Sequence, residues 1–432
     1  MTTMNEATRD FVRRHLNDDV RQTALLGARD TEVDLAVALQ QIAGRQAARR
    51  KLPSWAAVDD IVYPPHLAME QCSSEPTARY KAGIVRQLGV DSLCDLTGGF
   101  GVDFAFMAGA GQSSGAPLQK AIYVERQDEL CRLARHNFQT LGLKHAEVVC
   151  ADGEDFLQQT DKTVDLFFLD PARRDSNGSR TYALADCTPD VTRLLPLLLL
   201  RARHILLKLS PMLDWRQAVA ELQHVSTIHI VSVQNECKEL LIHICRPTEP
   251  EPTEIPENPA TPATPPLRVV CVNLAADGRQ ETFAFSPHRS ALASPSSPFT
   301  SYPSALASPP FSLASHLYEP NASVMKAGCF ELLETTFGLR QIAPNSHLFL
   351  TDKPAEQFPG RHFLVRAVTS LNKKELRKAL QGLTQANITV RNFPMSAADL
   401  RRRLKLRDGG SVYLFATTLA DRSHVLFVCE KA

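Results

Sequence analysis

From Leu93 to about residue 245 the chain repeats one pattern, in which short apolar runs (LCDL, AIYVE, EVVCA, VDLFFLD, HILLKL, IHIVSV and ELLIHI) alternate with amphipathic stretches. Seven strands are predicted. Runs that stay apolar at nearly every position need cover on both faces, as in a parallel sheet between layers of helices. The covering layer is visible in DELCRLARHNFQTLGL, where Leu130, Leu133, Ala134 and Leu141 share one helical stripe and Gly142 can end the helix. Ahead of the strands, Asn5 to about Met69 has helical spacing: Phe11, Val12, His15 and Leu16 form one stripe, Leu35, Leu39 and Ile42 another.

Beyond the seventh strand the pattern breaks. Pro247 to Pro266 holds eight prolines and four glutamates without a positive charge, a composition that cannot bury enough apolar surface to fold alone. Ser286 to Leu313 is a second low-complexity stretch, with nine serines and six prolines. Between them LRVVCVNLAADGRQETFAFS reads as two strands around an Asp277-Gly278 turn. From His316 onward, helices (Lys373 to Gln381, Ala397 to Lys405) alternate again with strands (HFLVRAV, ITVRNF, SVYLFATTL, HVLFVCE). The expected divisions are a helical segment over 1–70, the main α/β domain over 71–246, a linker over 247–266, a small β-containing module with the Ser/Pro-rich insert over 267–315, and a basic α/β domain over 316–432.

Length and composition agree with this division. At roughly 100 to 200 residues per domain, 432 residues make two to four domains, and 44% hydrophobic with 22% charged residues is globular. The longest apolar run, Leu194 to Leu200, contains a proline between Arg193 and Arg201 and is far too short to span a bilayer. The N-terminal stretch has no apolar signal region, so a cytoplasmic protein is expected. Ten cysteines include no CxxC pair, and no metal site is expected. The charge is uneven. Residues 361–410 carry twelve Lys or Arg against three acids, a local balance of +9 that leaves −8 for the rest of a chain whose total is +1. A polyanionic partner at the basic end is the expectation. Lys373, Lys374, Arg377 and Lys378 place like charges at helical i, i+3 and i+4 spacings, which stability alone does not favour. With Arg391, Arg401, Arg402, Arg403 and Lys405 they form a candidate RNA-binding surface; the alternative is a solvated face.

The chemistry is expected at the strand ends. CDLTGGFGVDF (94–104) follows a strand and precedes a helix, so glycine can let a ligand approach backbone closely. Asp95 ends the first strand, Glu125 the second, Asp152 follows the third and Asp170 ends the fourth. In open parallel sheets ligands bind at those carboxyl ends, and Glu125, 24 residues after Gly101, is spaced to accept ribose hydroxyls. A nucleoside is implied. The acidic entrance repels a pyrophosphate and suits a cation. As alternatives, the glycines make only a tight turn, Glu125 and Asp152 serve only a helix N-terminus, and Thr77, Tyr80 and Lys81 either line the cleft or face solvent.

These segments resemble motifs I to IV of class I S-adenosylmethionine-dependent methyltransferases: Asp95, Thr97, Gly99 and Gly101, then Glu125, Asp152 and DPAR (170–173), over about residues 72–245. Across more of the chain, EQCSSEPTARYKA, NECKELLIHI, YEPNASVMKAG and the basic end are similar to a bacterial methyltransferase family with a C-terminal THUMP-like domain. The resemblance implies a Rossmann-like methyltransferase sheet, a small ferredoxin-like module at 267–315 and a THUMP-like α/β domain after it. It implies S-adenosylmethionine as cofactor, the methionine moiety near Asp95 and the glycines, the ribose at Glu125 and the adenine near Asp152. Asp170, Pro171 and Arg173 would then face the acceptor, with a base of structured tRNA or rRNA as substrate and its exocyclic amine (guanine N2 or adenine N6) as the expected methyl acceptor. Arg173 stands where amine methyltransferases usually place an aromatic ring. Cys237 after the sixth strand is a minor candidate nucleophile. The rivals are a methyltransferase of a small molecule or protein and a non-catalytic cofactor-binding or RNA-binding module.

Overall fold

The computed structural model describes residues 4–27, 32–110, 118–173, 184, 187–247, 266–287, 316–343, 345–419 and 421–432. The linker and the Ser/Pro-rich insert fall mostly on 248–265 and 288–315, outside the described residues, and Arg174 and Arg173's side chain are outside them too. The described residues form two compact units: Met1–Val233 with Lys238–Arg268, and Gln234–Cys237, Val269–Phe285 and those of Ser290–Ala432.

The first unit begins with helices α1 (Glu6–His15), α2 (Val20–Gly27), α3 (Leu35–Lys51), α4 (Pro53–Ala56), α5 (His66–Gln71) and α6 (Glu75–Leu88). Asn5 caps α1 and Asp34 caps α3, each side chain accepting from a backbone N–H of the first turn. Phe11 packs with Val33, Ala38 and Ile42. The α3 stripe is thus turned from the expected Leu35–Leu39–Ile42 line toward Ala38, because a small residue lets α1 approach. α6 starts with proline in its first turn and ends at Gly89, whose φ of +65° suits glycine.

Then follow β1 (Ser92–Asp95), α7 (Val102–Ala108), β2 (Lys120–Glu125), α8 (Asp128–Thr140), β3 (Ala146–Cys150), α9 (Gly153–Gln159), β4 (Val164–Leu169), β5 (Ala172–Arg173), β6 (Cys187–Thr188), α10 (Val191–Arg201), β7 (Ala202–Leu209), α11 (Trp215–Glu221), β8 (Val225–Val233) and β9 (Glu236–Cys245). The short β5 and β6 pair with each other. The main sheet has the order β8-β9-β7-β4-β1-β2-β3. All seven runs read from the sequence are strands of it. β3, β2, β1, β4 and β7 are parallel neighbours, whereas β9 runs antiparallel to β7. The expectation of parallel strands fails for β9, since a reversed strand covered on both faces is just as apolar in sequence. That reversal serves the site: the carboxyl ends of five strands lie along one edge, and β9 brings its amino-terminal half to it, Leu240 pairing with Leu209.

In the second unit, β10 (Arg268–Leu274) and β11 (Gln280–Phe285) form the expected antiparallel pair, with Gly278 at φ +83° in the turn. A seven-stranded sheet contains β12 (His316–Pro320), β13 (Arg340–Gln341), β14 (Phe349–Thr351), β15 (Gly360–Ser370), β16 (Asn387–Arg391), β17 (Val412–Thr418) and β18 (His424–Lys431), in the order β13-β14-β12-β15-β18-β17-β16. Its helices are α12 (Ala322–Ala327), α13 (Phe330–Phe337), α14 (Lys373–Ala379) and α15 (Ala397–Leu404). Leu317, Phe363, Phe415 and Phe427 belong to one core of this unit, and Leu400, Leu414 and Leu426 to another.

Candidate functional site

At the carboxyl end of β1 the chain turns through Thr97 to Gly101 into α7. Asp95 is 1% exposed and accepts from the Thr97 N–H (2.9 Å) and hydroxyl (3.3 Å), which closes the turn. Burial pushes its carboxyl up to about 8; the Thr97 N–H works against this, and the nearby Asp103 and Asp170 add to it. The Thr97 hydroxyl in turn accepts from the Asp170 N–H at 2.7 Å, joining the ends of β1 and β4. Gly99 has φ +55° and Gly101 φ +83°, so both need glycine for conformation. Gly98 needs it for space: a Cβ there would lie 2.2 Å from the Tyr123 ring.

Glu125 ends β2 and accepts from the Gly99 N–H (2.9 Å) and the Gln127 N–H (2.8 Å). It therefore holds the glycine loop and the entry to α8 while lying beside both. Asp152 caps α9, accepting from the Glu154 N–H at 2.9 Å. The turn and cap roles weighed as alternatives are realised, on residues gathered at the edge where a ligand would sit. Asp95, Thr97 and Asp170 are joined by one set of these bonds, and Gly99 and Glu125 by another; Pro171 is buried and Arg173 contributes its backbone to β5.

A charged cluster lies behind Asp170. Lys208, near the end of β7, places Nζ 2.5 Å from Asp170 Oδ2 and 3.7 Å from Asp103 Oδ2. Lys81 of α6 is fully buried, with Nζ 3.2 Å from Asp103 Oδ1 and 2.7 and 2.8 Å from the carboxylate oxygens of Glu239 on β9. Ser73 donates to Asp103 Oδ2 at 2.7 Å. Burial alone would lower Lys208, but Asp170, Asp103 and Glu239 outweigh it and hold the ammonium well above its ordinary value. Burial likewise tends to raise Asp103, and Lys81 and Lys208 reverse this to a net lowering. For Glu239 burial dominates and the carboxyl is raised. Lys81 thus neither faces solvent nor stands at an open cleft. Lys208, Asp103 and Glu239 were missed as site residues; for Lys208 and Glu239 the signal was a charge inside an apolar strand run, LLKL and KELLIHI, whereas Asp103 sits in the first turn of α7. Cys237 is half-buried on β9.

The basic residues sort into two groups. Lys373, Lys374, Arg377 and Lys378 are exposed on α14, where they line an open concavity of about 860 Å³ with Asn372 and Gln381. Arg403 and Lys405 are exposed as well. Arg391 instead pairs with the fully buried Glu319 (2.8 Å), which also binds Arg361; Arg401 pairs with Asp408 (2.5 Å) and Arg402 with Asp399.

Two family models match the chain: a ferredoxin-like domain over residues 316–359 and a THUMP domain-like family over 360–431. The ferredoxin-like span thus begins after the 267–315 segment in which such a module was expected. No curated protein sequence matches the chain. Among solved structures, a protein described as a methyltransferase from Porphyromonas gingivalis W83 is 32% identical, with 99% of this chain and 98% of that one covered and a TM-score of 0.79. The chain belongs to that protein's family, class I methyltransferases ending in a THUMP-like domain. More remote are an O-methyltransferase from Bacillus cereus in complex with SAH (15% identity, 47% of this chain and 90% of that one, TM-score 0.32) and an rRNA methylase from Streptococcus thermophilus (13%, 41% and 99%, TM-score 0.29).

Proposed function

We propose that the chain is an S-adenosylmethionine-dependent methyltransferase of RNA, acting in the cytoplasm. The observation that carries the cofactor reading is the strand-end edge itself: a glycine loop whose Gly99 N–H meets Glu125, beside the buried Asp95. A Cβ at Gly98 would fill the space taken by Tyr123, so the loop is kept close to β2 and its acid. Asp103, Asp170 and Glu239 stand against two ammonium groups, and Asp95 adds a further negative charge when a bound cation ionises it; this acid surplus suits a ligand bearing a sulfonium and an amine, and opposes a pyrophosphate. Asp95 and the loop would hold the methionine end, Glu125 the ribose hydroxyls, and Asp152 the adenine side. When bound, the cofactor supplies a methyl group already activated on sulfur. The protein's task is then alignment, which can contribute about 7 to 11 kcal/mol. Asp170, half exposed at the end of β4, is the group that would receive the acceptor.

The RNA reading is supported by the basic tract, all of it inside the THUMP-like span, where α14 shows four exposed cations. Calorimetric titration with S-adenosylmethionine, S-adenosylhomocysteine and NAD tests the cofactor. Binding of the first two but not NAD, weakened in Glu125→Gln at unchanged melting temperature, is expected. NAD binding, or no binding of either sulfur nucleoside, would refute the reading. Transfer of labelled methyl to RNA, lost in Asp170→Ala with cofactor affinity retained, separates an enzyme from a binding module.

A further inference from the structure

The cluster behind Asp170 places alternating charges in line. From Glu239 and Lys81, both buried, it runs through Asp103 to Lys208 and ends on Asp170, whose side chain is 40% exposed. Apolar residues often replace a buried charge network at no loss of stability, so stability alone gives little reason for this one. Its outer end decides what the site can methylate.

An amine acceptor takes on positive charge as the methyl carbon bonds to nitrogen. A fixed ammonium beside it opposes that charge and competes for the carboxylate that should accept the amine's hydrogen bond. A hydroxyl has the opposite needs. Neutral, it is a weak nucleophile; it requires an acceptor for its proton and a cation for the negative charge growing on oxygen. Asp170 and Lys208 offer that combination: Lys208 uses one N–H on Oδ2 and keeps others, while Oδ1 of Asp170 remains to take a proton. The sequence concurs, for DPAR has no ring after Ala172 on which a base could stack.

We propose that the acceptor is a hydroxyl, the ribose 2′-hydroxyl of an RNA strand, with Asp170 as proton acceptor and Lys208 as the cation facing its oxygen. This rests on the RNA and cofactor reading above and replaces the exocyclic amine expected from the sequence. In the step, the acceptor oxygen bonds to the methyl carbon as the carbon–sulfur bond breaks, the electron pair leaving with sulfur. The hydroxyl proton passes to Asp170 and from there to water. Lys81 and Glu239 are positioning residues: they fix Asp103, which with Asp170 keeps Lys208 charged and in place.

The full chain, labelled S-adenosylmethionine and RNA from cells lacking the gene give the test. A 2′-O-methyl group blocks alkaline cleavage of the adjoining phosphodiester, so label is expected in alkali-resistant dinucleotides; label in mononucleotides, the mark of base methylation, would overturn the proposal. This readout needs no variant. Lys208→Met should lower kcat about 100- to 1,000-fold at unchanged cofactor affinity, with Lys208→Arg recovering part of it; a Lys208→Met enzyme as fast as the parent would remove Lys208 from the step. Failure to bind the cofactor, or binding without transfer to any RNA, would defeat the underlying reading, whereas transfer to a base defeats only the hydroxyl.

Discussion

Asp95 carries the most informative single titration. Its carboxyl is pushed up to about 8, by burial foremost, against a value of about 4 in an unfolded chain. Between those values the folded protein holds a proton that the unfolded chain has shed, so this group's contribution to stability falls as pH rises from about 4 to 8 and is constant above. A cation bound nearby favours the ionised form. Binding of S-adenosylmethionine at pH 7 should therefore release protons, up to one per site, and affinity should climb with pH until about 8. Calorimetry in two buffers of different ionisation enthalpy counts them. Heats independent of buffer would show that no proton leaves on binding, and a release that persists in Asp95→Asn would show that another group titrates. Gly98 makes a steric prediction at the same scale. The Tyr123 ring that a Cβ would strike is wedged between Phe104 and Phe138, and its hydroxyl donates to the Gly99 carbonyl. It has little room to yield, so Gly98→Ala should cost about 1–3 kcal/mol, read as a lower urea midpoint. Gly99 and Gly101 stood out in the sequence by their spacing from the acids. The constraint on Gly98 did not, because it comes from a side chain 25 positions away on the next strand.

Between elements, α6 is fastened to β9 by Lys81 and Glu239 with no solvent around them. Lys81→Met leaves Glu239 without its partner and Asp103 with Lys208 as its remaining cation beside the Ser73 hydroxyl, so a loss of about 3–5 kcal/mol is expected. Adding Glu239→Leu should restore a good part of it; a double-mutant cycle in urea with coupling below about 0.5 kcal/mol would show the pair to be independent. This pair also marks the boundary of what the sequence discloses. The seven strands from Leu93 to about residue 245 were legible because their runs are apolar at nearly every position, and the acids at the ends of β1, β2 and β4 were legible because chain direction places them together. Lys208 was not, since its meeting with Asp170 depends on β7 lying beside β4, and Glu239 was not, since its meeting with Lys81 depends on β9 lying reversed beside β7. Strand order and direction leave no trace in hydrophobic period. The N-terminal helices show a milder form of the same limit: their existence was plain, while the buried face of α3 was set by the partner helix.

For the chain as a whole, a total charge of +1 conceals a basic tract of +9, and pairing within the second unit determines how much of that charge is available to the RNA proposed as partner. Arg391 and Arg361 neutralise Glu319 in the interior, and Arg401 and Arg402 have carboxylate partners. Lys373, Lys374, Arg377 and Lys378 are exposed on one helix and form no ion pair among the described residues. Counterion release then predicts two different signatures. Replacing the four by glutamine should flatten the slope of log affinity against log salt by up to about 3 for single-strand-like RNA, with little change in melting temperature because their face packs against nothing. Arg391→Gln should do the reverse, leaving the slope nearly unchanged and lowering the melting temperature, since it strands half of the Glu319 carboxylate in a buried site. Equal slopes for the parent and the fourfold variant would move RNA contact away from α14. A reduced slope in Arg391→Gln would mean that this arginine leaves Glu319 for phosphate when RNA arrives.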